Sequence, residues 1–184
     1  MSELVADSRV LGPLYAYWRS KAAGGPPRRR DIDPAEIPAL LPNLCTVYRD
    51  ADGEFRYGLT GEAVASHYGA NFANRRFKDL LAGERFAAAN RHHAMAWDSR
   101  RPVWCRNRYF AEGLPDCIVT RVILPLAGND GGVAALLVGS EFACTFAYYK
   151  ALEREWSLLR TSDEARFLDA ADAAVPARDG RRAA

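Results

Sequence analysis

Apolar residues recur at spacings of three, four and seven from Leu4 to Ala23, through Leu11, Leu14, Tyr15, Trp18 and Ala22. That period predicts a helix with one apolar face. Gly12-Pro13 makes its first turn ragged, so the helix is firm from about Pro13 onward. Gly24-Gly25-Pro26-Pro27 ends it, because neither glycine nor proline continues a helix cheaply. Asp33-Pro34-Ala35-Glu36 then offers a cap, a proline suited to the first helical position and a capping-box acid. Pro38 and Pro42 limit this element to one or two turns ending at Leu40-Leu41. Two strands follow, Leu44 to Arg49 and Glu54 to Thr60, joined by the turn residues Asp50-Ala51-Asp52-Gly53. In the second strand Phe55, Tyr57 and Leu59 alternate with Glu54, Arg56 and Gly58, which predicts one buried face and one more open face.

Short helices and loops are expected from Glu62 to Leu81. A full helix follows from Ala82 to Ser99, with Phe86, Ala89, His93 and Trp97 near one stripe. Three strands come next, Val103 to Phe110, Asp116 to Leu126 and Gly132 to Phe142, separated by loops rich in Gly, Pro, Asn and Asp. The last is apolar on both faces and so predicts a central strand covered on both sides. A final helix is expected from Phe146 to Leu159, and a tail without a packing face from about Ala170. Hairpins at both ends with helices between them predict an α+β fold, one mostly antiparallel sheet with helices on one face. A cavity between helices and sheet is a common consequence.

Composition changes this picture little. The 184 residues suit about one domain, and 49% hydrophobic content allows a sizeable core. With 25 Lys and Arg against 23 Asp and Glu, the net charge of +2 supplies no field that would draw a polyanion. The N-terminus lacks a secretory pattern and the longest apolar run, Val133 to Val138, is too short to span a bilayer, so a cytoplasmic protein without membrane insertion is expected. The cysteines Cys45, Cys105, Cys117 and Cys144 form no CxxC and read as buried free thiols.

Four local words stand out: YAYW from Tyr15 to Trp18, PRRRDIDPAEIPALLP from Pro27 to Pro42, YGLTG from Tyr57 to Gly61 and VILPL from Val122 to Leu126. With the order of elements they resemble the PAS superfamily, and within it a bacterial family of small stand-alone PAS proteins with a YW / PxRxDIDP / LP entry motif. The resemblance runs from the first helix to about Phe142. It implies a five-stranded antiparallel sheet and a sensor or regulatory role in bacterial signalling through protein partners, and it transfers no catalytic residue. The implied organisation is an N-terminal helix over 1–25, a PAS-like domain over 26–145, a C-terminal helix over 146–169 and a flexible tail over 170–184.

The superfamily's cavity holds haem, flavin, small acids or nothing, so the cofactor stays open. The stretch from Ala70 to Ala82 lacks the reactive cysteine of a flavin photoreceptor. For haem the candidate axial ligand is His93, since adjacent helical positions point about 100° apart and the stripe favours His93 over His92. The expected ligand is colourless, in a cavity lined by Tyr57, Leu59, Phe72, Phe86, His93 and Trp97. On the third strand Trp104, Arg106 and Arg108 share one face and Cys105, Asn107 and Tyr109 the other. If Arg106 or Arg121 faced the cavity it would select an anion such as a small carboxylate.

Other chemistry finds less support. Gly128 to Gly132 lacks the Lys and Ser/Thr of a P-loop, no HExxH is present, and His67 with His92 or His93 lacks metal-ligand spacing. The runs Arg28-Arg29-Arg30, Arg75-Arg76 and Arg100-Arg101 read as solvated loop ends. A small acid/base hydrolase or isomerase is the rival class, but no nucleophile, base and orienting group stand at recognisable spacing, so the expectation is a non-catalytic module. A homodimer is also expected, one terminal helix docking on its own sheet and the other pairing across a two-fold axis.

Overall fold

The computed structural model describes residues 3–110, 116–143 and 160–168 together with the strand Val175–Arg178. After a single turn, α1 (Glu3–Ala6), the first long helix is α2 (Leu11–Lys21). The Ser8 hydroxyl accepts from the Leu11 N–H at 2.7 Å, which starts α2 two residues ahead of Pro13. The segment that follows makes three 3₁₀ turns, Arg29–Asp31, Pro34–Glu36 and Pro38–Asn43. Its two aspartates close turns: Asp31 Oδ2 accepts from the Arg28 N–H at 2.8 Å and Asp33 Oδ1 from the Ala35 N–H at 2.9 Å. Tyr17 of α2 holds the segment in place, its hydroxyl accepting from the Asp33 N–H at 2.8 Å, and Lys21 pairs with Glu36 at 2.6 Å.

The strands are β1 (Leu44–Arg49), β2 (Phe55–Thr60), β3 (Val103–Phe110), β4 (Cys117–Ala127), β5 (Val133–Ala143), β6 (Arg160–Phe167) and β7 (Val175–Arg178). They form one antiparallel sheet in the order β2-β1-β5-β4-β3-β6-β7. The expected five strands are its core, and β6 and β7 extend it beyond β3. This corrects the expected C-terminal helix over 146–169 in its last part, because Arg160–Phe167 is a strand paired along all of β3. Its sequence RTSDEARF carries four charges and little apolar periodicity, and the ladder to β3 rather than propensity sets its conformation. The expected helix Phe146 to Leu159 lies outside the described residues, and so does the expected tail apart from Val175–Arg178.

The sheet separates two apolar layers. On the inner face lie α3 (Glu62–Tyr68), α4 (Phe77–Leu80) and α5 (Gly83–Ser99), packed on Val47, Phe55, Cys105, Ile123, Leu136 and Val138. On the outer face Leu11, Leu14, Tyr15 and Trp18 of α2 pack on Trp104, Val122, Leu124 and Leu137. Helices therefore cover both faces, with α2 as the terminal helix that docks on its own sheet. Trp18 Nε1–H donates to the Pro125 carbonyl at 2.9 Å, so the indole is satisfied where it is buried. Gly139 of β5 is the close approach that admits α2, since a Cβ there would overlap the Leu14 side chain. β5 lies between β1 and β4 and is buried on both faces, as its sequence predicts.

Cys45 and Cys105 are buried free thiols, whereas Cys117 is disulfide-bonded with its partner outside the described residues. That corrects the expectation of four free thiols, because apolar neighbours do not distinguish a buried thiol from a buried disulfide.

Candidate functional site

Between the inner face and the helices is an enclosed cavity of about 30 Å³, lined by the α3 to α5 region and by β2, β3 and β4. Arg121 reaches it because β4 pairs with β3 so that Arg121 stands opposite Cys105, on the strand face that also carries Asn107 and Tyr109. Its guanidinium donates from Nη1 to Asn107 Oδ1 at 2.9 Å and from Nη2 to the Tyr68 hydroxyl. Among the described residues no carboxylate lines the cavity and Arg121 has no acidic partner, while a second arginine, Arg85, also lines it. Guanidinium keeps its charge under all ordinary conditions, and with two of its five N–H groups committed it retains three donors.

Two histidines from consecutive positions of α5 border the same cavity. His93 is buried, with Nδ1 at 2.7 Å from the Ala89 carbonyl, which requires the proton on Nδ1. Nε2 then presents a lone pair, and it has no hydrogen-bond partner. Burial, with the Arg121 charge adding to it, pulls the His93 pKa down to about 3, so the ring is neutral. His67 is likewise drawn down to about 3, by burial and then by Arg121, and stacks on Phe142 with centroids 3.9 Å apart.

His92 behaves oppositely. Burial alone lowers its pKa, but the neighbouring Cys105 and the hydrogen bond to Asp163 outweigh that and raise it to about 9. Its Nε2 lies 2.8 Å from Asp163 Oδ2 on β6, and the same carboxylate takes Arg91. Expectation held that only one of the two histidines could enter the cavity. Both border it, because β6 widens the sheet beneath α5 and buries the helix over a broader arc.

Of the six residues expected to line the cavity, Tyr57, Phe72 and His93 do so. Phe86 and Trp97 belong to the surrounding core instead, Trp97 edge-on to Phe55 with centroids 6.0 Å apart. Leu59 is elsewhere. A β-bulge breaks the register between Cys45↔Thr60 and Val47↔Tyr57, so strict alternation fails after Tyr57 and Leu59 turns to the outer side. There it is 69% exposed, its N–H donating to Thr46 Oγ1 at 2.8 Å. Arg106 also faces outward, stacked on Trp104 at 5.1 Å and paired with Glu164 at 3.4 Å.

The sequence reading missed Tyr68, Asn107, Tyr109 and Asp163. Asn107 and Tyr109 were visible as one face of β3, but the β3–β4 register that brings Arg121 to them was not. Asp163 was hidden by the helical reading of its segment.

On the outer side Leu59 borders an open groove of about 890 Å³ between the 3₁₀ segment, the start of β1, the end of β2 and the ends of β4 and β5. Arg28, Arg29 and Arg30 line it, with no acidic residue among the described residues of its lining.

Among the described residues no cluster of three or more His, Cys, Asp or Glu is placed to hold a metal ion, and no helix is long and apolar enough to cross a membrane. Among curated proteins none matches the chain. A family model described as PAS domain matches residues 7–140, from just ahead of α2 to near the end of β5. Since that match spans most of the chain and the sheet has the antiparallel architecture it implies, the chain belongs to the PAS-domain family.

Proposed function

We propose that the protein is a non-catalytic PAS sensor module that takes a small colourless anion into its inner cavity and acts through protein partners. The observation that carries this reading is Arg121, a permanent cation at an enclosed cavity also lined by Arg85 and by His92, whose pKa is raised to about 9, with no carboxylate among the described residues of its lining. An oxyanion there would accept from the free guanidinium N–H groups, the strongest class of hydrogen bond available to a protein. A hydroxyl or acid proton on the ligand would donate to His93 Nε2. The volume of about 30 Å³ is room for roughly two water-sized spheres, so the occupant is limited to the smallest oxyanions, such as formate or nitrate, seated with slight widening of the walls.

Haem is the alternative considered for His93. The tautomer fits, since Nδ1–H held by a carbonyl leaves Nε2 to bind iron. The space does not, because about 30 Å³ is far below a macrocycle and the lining Tyr57 packs on Phe72 at 5.4 Å and on Phe77 behind it at 4.7 Å between centroids. A cytoplasmic working place and a homodimer belong to the same reading.

The absorbance spectrum of freshly purified protein and mass spectrometry of what it releases on denaturation test the reading. A spectrum without visible bands and release of a small oxyanion are expected. A Soret band lost in His93→Ala and kept in His92→Ala, or flavin absorbance, would overturn it.

A further inference from the structure

The inner cavity leaves unexplained the groove on the opposite side of the sheet. Three of the four distinctive sequence words meet there: the entry segment supplies Arg28 to Arg30, Ile37 and Leu41, YGLTG supplies Leu59 to Gly61, and VILPL supplies Leu126. The groove is held open by backbone rather than by loosely packed side chains. Ala127 N–H donates to the Pro27 carbonyl at 2.8 Å and ties the entry segment to the end of β4. Gly61 lies so close to the carbonyls of Leu41 and Pro42 that a Cβ would collide with them, which fixes the other wall.

Its surface chemistry is specific. Leu41 and Leu59 are the exposed large hydrophobic residues among those described, at 40% and 69%, and both border this groove. Leu59 faces outward only because of the bulge, a device that re-aims a side chain at the cost of ladder bonds. At the rim, Arg28, Arg29 and Arg30 are exposed. The nearby acids face away into the segment's own structure, with Asp33 capping Ala35 and Glu36 paired to Lys21. Among the described residues, Asp31 is the acid that approaches a rim guanidinium, at 4.0 Å from Arg30 Nε. Apolar floor and a rim with three arginines against one acid together select an occupant with the opposite pattern.

We propose that this groove is the docking surface for an acidic amphipathic segment of a partner protein, its apolar side chains seated on Leu41 and Leu59 and its carboxylates facing Arg28, Arg29 and Arg30. This rests on the reading of the chain as a module that acts through protein partners, and it is independent of the anion in the inner cavity. The open form of the groove and the exposure of Leu59 fit a peptide laid along the surface, since a small-molecule site buries most of its ligand. Peptide recognition of this kind uses apolar anchors at helical spacing, with charge setting orientation and rate.

A displayed library of random peptides several helical turns long, panned on the immobilised full chain, supplies a defined probe. The expected winners are acidic, with apolar residues three and four apart. Synthesised and measured by fluorescence anisotropy, they should weaken at least about tenfold, or 1.4 kcal/mol, against both Leu59→Asp and an Arg28→Glu, Arg29→Glu double variant, and should weaken with added salt. Winners without acidic bias, or affinities unchanged in both variants, overturn the proposal. Leu59→Asp should also leave the melting temperature and the light-scattering mass unchanged. A marked drop in melting temperature would show that the chain covers Leu59 itself, and a change of mass that a second copy does; either overturns the proposal. Anion titration of the unaltered protein reads the inner cavity separately, so failure on one face is distinguishable from failure on the other.

Discussion

A guanidinium taken out of water loses several kcal/mol of hydration, and hydrogen bonds to neutral partners recover only part of that. Arg121 is in this position, and its charge is felt by its neighbours: it contributes to keeping His67 and His93 neutral. The histidines give stability a definite pH profile. His67 and His93 have folded pKa values near 3, below the ordinary 6.5, so the unfolded chain binds more protons between those values and stability falls as pH drops from about 6.5 toward 3. His92 has a folded value near 9, above 6.5, so its contribution is complete below about 6.5 and is lost as pH rises through 9. Urea unfolding across pH should therefore show a maximum near pH 6.5, and His92→Gln should flatten the alkaline limb alone. A profile flat from pH 5 to 9 would contradict the assigned states.

At the scale of elements, two contacts decide how the layers sit. Gly139 admits Leu14, so Gly139→Ala should cost about 1–3 kcal/mol by overpacking and show as a lower denaturation midpoint. A variant as stable as the parent would mean that α2 is not seated as described. On the other face, Asp163 joins β6 to α5 through His92 and Arg91. Asp163→Asn should bring the His92 pKa down from about 9 toward its ordinary value, read by NMR titration, and cost about 2 kcal/mol, a figure reduced for the partial exposure of the network. An unmoved His92 titration would remove Asp163 from that role.

β3 and β5 were legible because their ends are marked by Pro102, Gly132 and strong apolar content, and α5 because its apolar stripe runs the full length. β6 was not, since a polar strand at the side of a sheet takes its conformation from its neighbour, and no local pattern in RTSDEARF announces that neighbour. The same limit governs the site. Tyr57 and His93 followed from alternation and helical phase, whereas the bulge that removes Leu59 and the register that delivers Arg121 are properties of strand pairs. Pattern within one element predicts which face a residue takes, and it is silent on what stands opposite.

For the whole molecule, α2 is committed to its own sheet, so a homodimer would have to form through other surfaces. Light scattering should report a dimer, and a monomer at tens of micromolar would contradict that part of the reading. The sheet divides two regions of different chemistry, an enclosed basic cavity on one side and an open apolar groove with a basic rim on the other. The account depends most on the first. Isothermal titration with formate and with nitrate, on protein exchanged into buffer free of small oxyanions, tests it directly. One saturable site per chain, weakened at least about tenfold in Arg121→Gln, is predicted. Equal binding by protein and variant, or no saturable heat from the protein at millimolar anion, would contradict it.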